Sequence, residues 1–174
     1  MTEQEKLMYE ILGQITTSDI PIVFKGGLIT KLILNESGLS SVQRTTKDID
    51  ANWIGQPPSM DYLVDSLNNS FGDLQRCYKA VASRQYGEKQ SAGISVIDKN
   101  TGRKFITMDI DIKPLIDSKT YYYEQTKIRG VLPNEILADK ICVLSGEAIY
   151  KNRAKDVLDL SLIHISEPTR PEPI

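Results

Sequence analysis

Residues 93–98 and 103–112 alternate apolar with polar side chains, and the four residues between them, Lys99-Asn100-Thr101-Gly102, have the composition of a tight turn. In the second run Ile106, Met108, Ile110 and Ile112 take turns with Thr107, Asp109 and Asp111. A period of two over that length fits a strand and not a helix, so the chain must build a sheet with one face that something apolar covers. The covering pieces read as helices. Leu7, Ile11, Leu12 and Ile15 have helical spacing over 3–15, and Leu28, Leu32 and Leu34 continue a second pattern to Asn35. Leu63, Val64 and Leu67 fall in 60–71 after a capping Ser59. Ile136, Leu137, Ile141 and Leu144 form an apolar stripe interrupted by Lys140, in a helix that Pro133 starts, and a last helix is expected over 147–160. Short strands are expected at 20–25 and 44–53, strand and loop over 76–91, and loop plus a short strand over 121–131. The fold class is α+β.

At 174 residues the chain can bury roughly 70% of its unfolded surface and needs no disulfide or metal staple. Cys77 and Cys142, far apart and without a Cys-x-x-Cys pair, are expected to be buried thiols in a reduced, cytoplasmic protein. No stretch has the length and apolarity of a membrane span or a secretory signal. The net charge of −2 neither implies nor forbids a nucleic-acid partner, and Arg76, Lys79, Arg84, Lys89, Arg103 and Lys104 are scattered as on a solvated face. The single histidine, His164, excludes more. It lies in 161–174, where three of the eight prolines crowd into 14 residues. The string Ser161-Leu-Ile-His-Ile-Ser-Glu-Pro-Thr-Arg-Pro171 is similar to translated adapter sequence and is read as a non-native tail. Hydrolases and zinc proteases built on imidazole are therefore excluded, and the chemistry must run on carboxylates, Lys, Arg and metal ions.

Three places offer such chemistry. Asp48 and Asp50, at i and i+2 of a strand, share one face, and two carboxylates so close raise each other's pKa unless a cation neutralises them. Mg²⁺ suits them, because hard oxygen ligands and substrate phosphates complete its octahedron; a polar, exposed edge strand is the plainer reading. Gly26-Gly27 follows a strand and opens a helix, a setting in which backbone N–H groups approach a phosphate, although Gly-Gly is also an ordinary turn. Asp109 and Asp111 repeat the i, i+2 pattern on the second run. Together these are the parts that a two-metal phosphoryl-transfer site requires.

In this order the residues resemble a family. Gly26-Gly27 followed by Arg44-x-Thr46-x-Asp48-x-Asp50 resembles the first motif of the DNA polymerase β-type nucleotidyltransferases. The strings Lys25-Gly-Gly27 and Arg44-Thr-Thr-Lys-Asp-Ile-Asp50 are similar to the abortive-infection toxin branch, AbiEii/AbiGii-like. Asp109 or Asp111 resembles the second motif, Leu137-Ala-Asp-Lys140 the helix presenting a motif lysine, and Arg153-Ala-Lys-Asp156-Val-Leu-Asp159-Leu160 the last motif, over about 20–160.

The resemblance implies a mixed β-sheet flanked by helices as a catalytic unit over 1–132, and the start of a C-terminal helical region over 133–160. It implies an NTP substrate and Mg²⁺, with Mn²⁺ as substitute, held by Asp48, Asp50 and Asp109. Gly26, Gly27, Thr46, Lys140 and Lys155 would contact the nucleotide, and Arg44 would either help hold the triphosphate or fix the Asp-x-Asp loop; Asp109 or Asp111 would activate or position the attacking group, with Asp109 favoured, and Asp156 would orient Lys140 or the acceptor. For Lys140, phosphate binding and simple snorkelling both remain open. The acceptor implied is RNA, tRNA first, since relatives modify the acceptor end of tRNA, and the partner implied is a separately encoded antitoxin. The rival readings are a catalytically incomplete nucleotide- or partner-binding member and a metal-dependent phosphodiesterase.

Overall fold

A computed structural model describes residues 2–39, 46–85 and 90–145, without the side chains of Lys140 and 142–145. The chain starts with helix α1 (Glu3–Thr17), strand β1 (Ile22–Lys25), helix α2 (Gly27–Glu36), strand β2 (Asp48–Ile54) and helix α3 (Met60–Ser70). A 3₁₀ turn, Gly72–Arg76, leads to β3 (Tyr78–Arg84), β4 (Ser91–Asp98), β5 (Lys104–Lys113), β6 (Ser118–Tyr123), β7 (Thr126–Val131) and helix α4 (Pro133–Ser145). Local chemistry sets the helix starts: the side chains of Thr2 and Ser59 accept from the backbone N–H groups of Glu5 and Tyr62, satisfying first-turn donors that have no intrahelical partner.

The seven strands form one sheet in the order β3-β4-β5-β2-β1-β7-β6. It is mixed, because β2 pairs parallel with β5 and β1 parallel with β7 while the other neighbours are antiparallel. The expected α+β sheet with flanking helices is the observed one.

Alternation divides the sheet into two unlike faces. Ile22 and Phe24, Ile49, Ala51 and Trp53, Ile106, Met108 and Ile110, and Ala92, Ile94 and Val96 are all buried. Against them lie Leu7, Met8, Ile11, Leu12 and Ile15 of α1, Leu28, Ile29, Leu32 and Ile33 of α2, and Leu63 and Leu67 of α3. Two polar links tie α1 to α2: the Tyr9 hydroxyl donates to Leu28 O at 3.1 Å, and Lys31 pairs with Glu5, whose side chain is only 6% exposed. A buried carboxylate persists only when paired in this way. The opposite face carries Lys25, Asp48, Asp50, Asn52, Thr107, Asp109, Asp111 and Ser91, and there the chemistry is to be found.

One core contact makes a stability prediction. A Cβ added at Gly130 would stand 2.8 Å from Tyr121 Cε2 and 2.9 Å from Ile29 Cδ1. Tyr121 is fully buried and cannot swing away, since its hydroxyl donates to Val131 O at 2.7 Å. Gly130→Ala is expected to lose about 2 kcal/mol by overpacking, read as a lower urea midpoint at unchanged slope.

Four expectations are corrected. The strand expected at 44–53 begins at Asp48; residues 40–45 lie outside the described part, and Thr46 and Lys47 are irregular. Residues 121–131 belong to a hairpin of two strands, β6 and β7, in which Glu124 takes the left-handed turn conformation at φ 54°. A glutamate there gives none of the Asn or Gly signal that marks such turns. Cys77, just before β3, is exposed rather than buried. In α4, Ile136 is buried but Ile141 is 57% exposed, so among the described residues the apolar stripe meets the core only near its start. No described helix is long and apolar enough to cross a membrane. The helix expected over 147–160 and the segment 161–174 lie outside the described residues.

Candidate active site

Strand β2 carries the first acidic pair into the middle of the sheet, with β1 on one side and β5 on the other. The registers align Lys25, Asp50 and Asp109 in one row across the three strands, Val23, Asn52 and Asp111 in the next, and Asp48 with Thr107. Partners in one row of adjacent strands point to the same face about 4.8 Å apart. The two Asp-x-Asp motifs, some 60 residues apart in sequence, therefore share a face, with Asp50 beside Asp109.

Electrostatics follow from this packing. Asp50 is pushed up from 3.8 to about 6, first by burial and then by the charge of Asp109; Lys25 opposes the shift, and Asp48 and Asp111 add to it. Asp111 goes the other way. Burial works to raise it, but the hydrogen bond and charge of Lys25, the Ser91 hydroxyl and Lys113 together hold it below the ordinary carboxylate value. The Lys25 ammonium lies 2.6 Å from Asp111 Oδ2. Arg84 Nη2 reaches Asp109 Oδ1 at 3.3 Å and Ser91 Oγ at 2.9 Å.

The glycine turn opens onto the same place. Gly26 caps the N-terminus of α2 with φ 77° and ψ −155°, and a Cβ on it would stand 2.9 Å from Asp50 Cβ and collide with Asp50 Oδ2. A Cβ on Gly27 would lie 2.7 Å from Thr46 Oγ1. The backbone thus passes closer to Asp50 and Thr46 than any side chain permits, which leaves the N-terminus of a ten-residue helix facing the carboxylates. Such a terminus attracts anions.

Of the residues singled out from sequence, Gly26, Gly27, Thr46, Asp48, Asp50, Asp109 and Asp111 gather at one end and face of the sheet. Asp48 is exposed at its rim. Lys140 is on α4, but its side chain is not described, and Arg44, Lys155 and Asp156 lie outside the described residues. The convergence is incomplete in one respect: among the described residues no three acidic groups are close enough together to form a ready-made metal cage. Arg84 engages Asp109 and Lys25 engages Asp111 instead. The donor chemistry nevertheless suits a hard divalent cation, because Asp50 and Asp109 are adjacent carboxylates, and the charge of Asp109 adds to burial in disfavouring the ionised Asp50 that a cation would stabilise.

Lys25, Arg84, Ser91 and Asn52 went unassigned or were read as solvated surface. Only the strand register brings them to the carboxylates; Lys25 alone had a local signal, as the last strand residue before the glycine turn.

The raised pKa of Asp50 has a stability consequence. The native state holds this proton more tightly than the unfolded chain, so the contribution is fully present below about pH 3.8 and is lost as pH rises through about 6. Asp50→Asn removes that loss. At pH 8 the variant should be more stable than wild type by about 3 kcal/mol at most, with little difference at pH 4, as urea unfolding at the two pH values would report.

Comparison with known proteins agrees with this architecture. An antigenic nucleotidyltransferase-like protein from Paracoccidioides brasiliensis superposes with a TM-score of 0.61 at 17% identity, over 92% of this chain and 75% of that one. The antibiotic-resistance factor ANT(2")-Ia, solved in complex with adenylyl-2"-tobramycin, superposes with a TM-score of 0.57 at 14% identity, over 95% of this chain and 90% of that one. Identities this low establish a shared fold. No curated protein sequence matches. The model of one sequence family, described as nucleotidyl transferase AbiEii toxin of type IV toxin–antitoxin systems, matches residues 10–172 and so runs on into the segment set apart by its prolines. With nearly the whole chain inside that match, the protein belongs to the AbiEii family of nucleotidyltransferase toxins.

Proposed function

We propose that the protein moves a nucleoside monophosphate from an NTP to an RNA acceptor, with tRNA the first candidate, in a Mg²⁺-dependent reaction that releases pyrophosphate. The observation that carries this reading is the meeting of Asp50, Asp109 and the Gly26-Gly27 turn on one sheet face. Asp48, Asp50 and Asp109 would hold the cation, which when bound supplies charge neutralisation to the triphosphate and a lowered pKa to the attacking hydroxyl. The N–H groups at the start of α2 hold the phosphates, and Thr46 beside Gly27 fixes the approach. Asp109 faces the acceptor hydroxyl and orients it for in-line attack on the α-phosphorus, and Arg84 offsets charge that develops there. The bond formed is acceptor oxygen to α-phosphorus, and the bond broken is α-phosphorus to the bridging oxygen of pyrophosphate.

The RNA acceptor rests on the resemblance to relatives that modify tRNA ends, and the role in abortive infection on the family's place in toxin–antitoxin systems. Incubation with each NTP labelled at the α-phosphate, Mg²⁺ and total tRNA tests the reading. Label should enter RNA from one or more NTPs and should require the divalent cation; NTP binding without transfer, or shortening of RNA without incorporation, would overturn it.

A further inference from the structure

The ion pair between Lys25 and Asp111 joins the two strands that flank β2. Lys25 ends β1, Asp111 lies on β5, and β2 runs between them, so the pair reaches over the face of β2 that carries Asp50 and Asn52. Beneath it Asn52, the Cα partner of Asp111, is 1% exposed, and neither its Oδ1 nor its Nδ2 has a hydrogen-bond partner among the described residues. A buried carboxamide left unpaired in this way costs free energy that a hydrogen-bond partner would recover.

We propose that this pair is a strap across the nucleotide cleft which exchanges partners when NTP binds. Lys25 leaves Asp111 for the triphosphate, and the freed Asp111 carboxylate accepts a hydrogen bond from Asn52 Nδ2. The inference rests on the NTP reading of the site. Lys25 immediately precedes Gly26, the N-cap of α2, so its side chain springs from the residue next to the anion-attracting helix start. Its side chain is 16% exposed and must keep an anionic partner in either state. Asp111 is better placed to let go: it is 38% exposed and keeps the Ser91 hydroxyl and the charge of Lys113. Asn52 then gains the partner that it lacks, which favours opening. Lys25 is thus a substrate-binding residue, whereas Asp111 and Asn52 are positioning residues that set how readily it is released.

Calorimetric affinity for a non-hydrolysable α,β-methylene NTP with Mg²⁺, on the full chain, tests the exchange, with thermal melting as the check on folding. Lys25→Met should weaken binding about tenfold or more. Asp111→Asn should tighten it several-fold, because Lys25 no longer has a competing partner, and that gain should vanish in the Lys25→Met background. Asn52→Leu, which removes the unpaired amide, should melt no lower than wild type yet bind several-fold more weakly. Asp111→Asn that weakens binding, or that tightens it equally with Lys25 absent, would overturn the strap while leaving the nucleotide site standing. A folded wild type that binds none of the four NTP analogues would overturn both.

Discussion

Asp50→Asn is expected to abolish NMP transfer, lowering the rate by a factor of about 10³ or more, roughly 4 kcal/mol of transition-state stabilisation. The change keeps shape and size and removes only the charge. Asp50 stands at the centre of the arrangement, aligned with Asp109 on one side and Lys25 on the other and under the Gly26 turn. A neutral amide there cannot balance a divalent cation. Asp48 and Asp109 remain, but neither takes the place of Asp50 between Lys25 and Asp109 in the row across β1, β2 and β5. The same variant is expected to be more stable than wild type at pH 8, so loss of activity cannot be attributed to unfolding. Such opposition between stability and activity is what a site of crowded like charges imposes.

Gly26→Ala is the second large effect, and it acts through the backbone. At φ 77° and ψ −155° Gly26 occupies a region that side-chain-bearing residues essentially avoid, at a cost of about 1–3 kcal/mol. Its Cβ would also press on Asp50, which the ladder on both sides holds in place. Together the two terms should cost about 3–4 kcal/mol, and transfer should fall steeply even in the folded fraction because Asp50 is displaced. Gly38→Ala is the control. Gly38 also has φ 77° but nothing within 4 Å of an added Cβ, so Gly38→Ala should lose only a conformational cost of about 1 kcal/mol and keep its activity. Urea unfolding of both variants, with label transfer measured on each, would report the difference.

Period-two alternation made β4 and β5 legible, and with them the buried face of the sheet. Helical spacing and caps did the same for α1, α2 and α3 to within a residue or two. The hairpin of β6 and β7 was not legible, because its turn uses Glu124 and its strands carry a run of three tyrosines instead of a clean alternation. For the site, i and i+2 spacing put Asp48 with Asp50 and Asp109 with Asp111, but spacing within a strand cannot say which strands are neighbours. The parallel register of β2 on β5 is a tertiary fact, and it decides that Asp109, not Asp111, lies next to Asp50. The other registers bring Lys25 of β1 and Arg84 of β3 to the carboxylates, with Asn52 unpaired below the Lys25–Asp111 pair. Charges scattered along a sequence look like solvated surface until the sheet gathers them.

The most direct measurement is label transfer from α-labelled NTP to RNA by the Asp48→Ala, Asp50→Ala double variant beside wild type, both verified as folded by melting. The expected result is incorporation by wild type in the presence of Mg²⁺ and none by the variant. Incorporation by the variant at a comparable rate would contradict a catalytic site built on the β2 carboxylates.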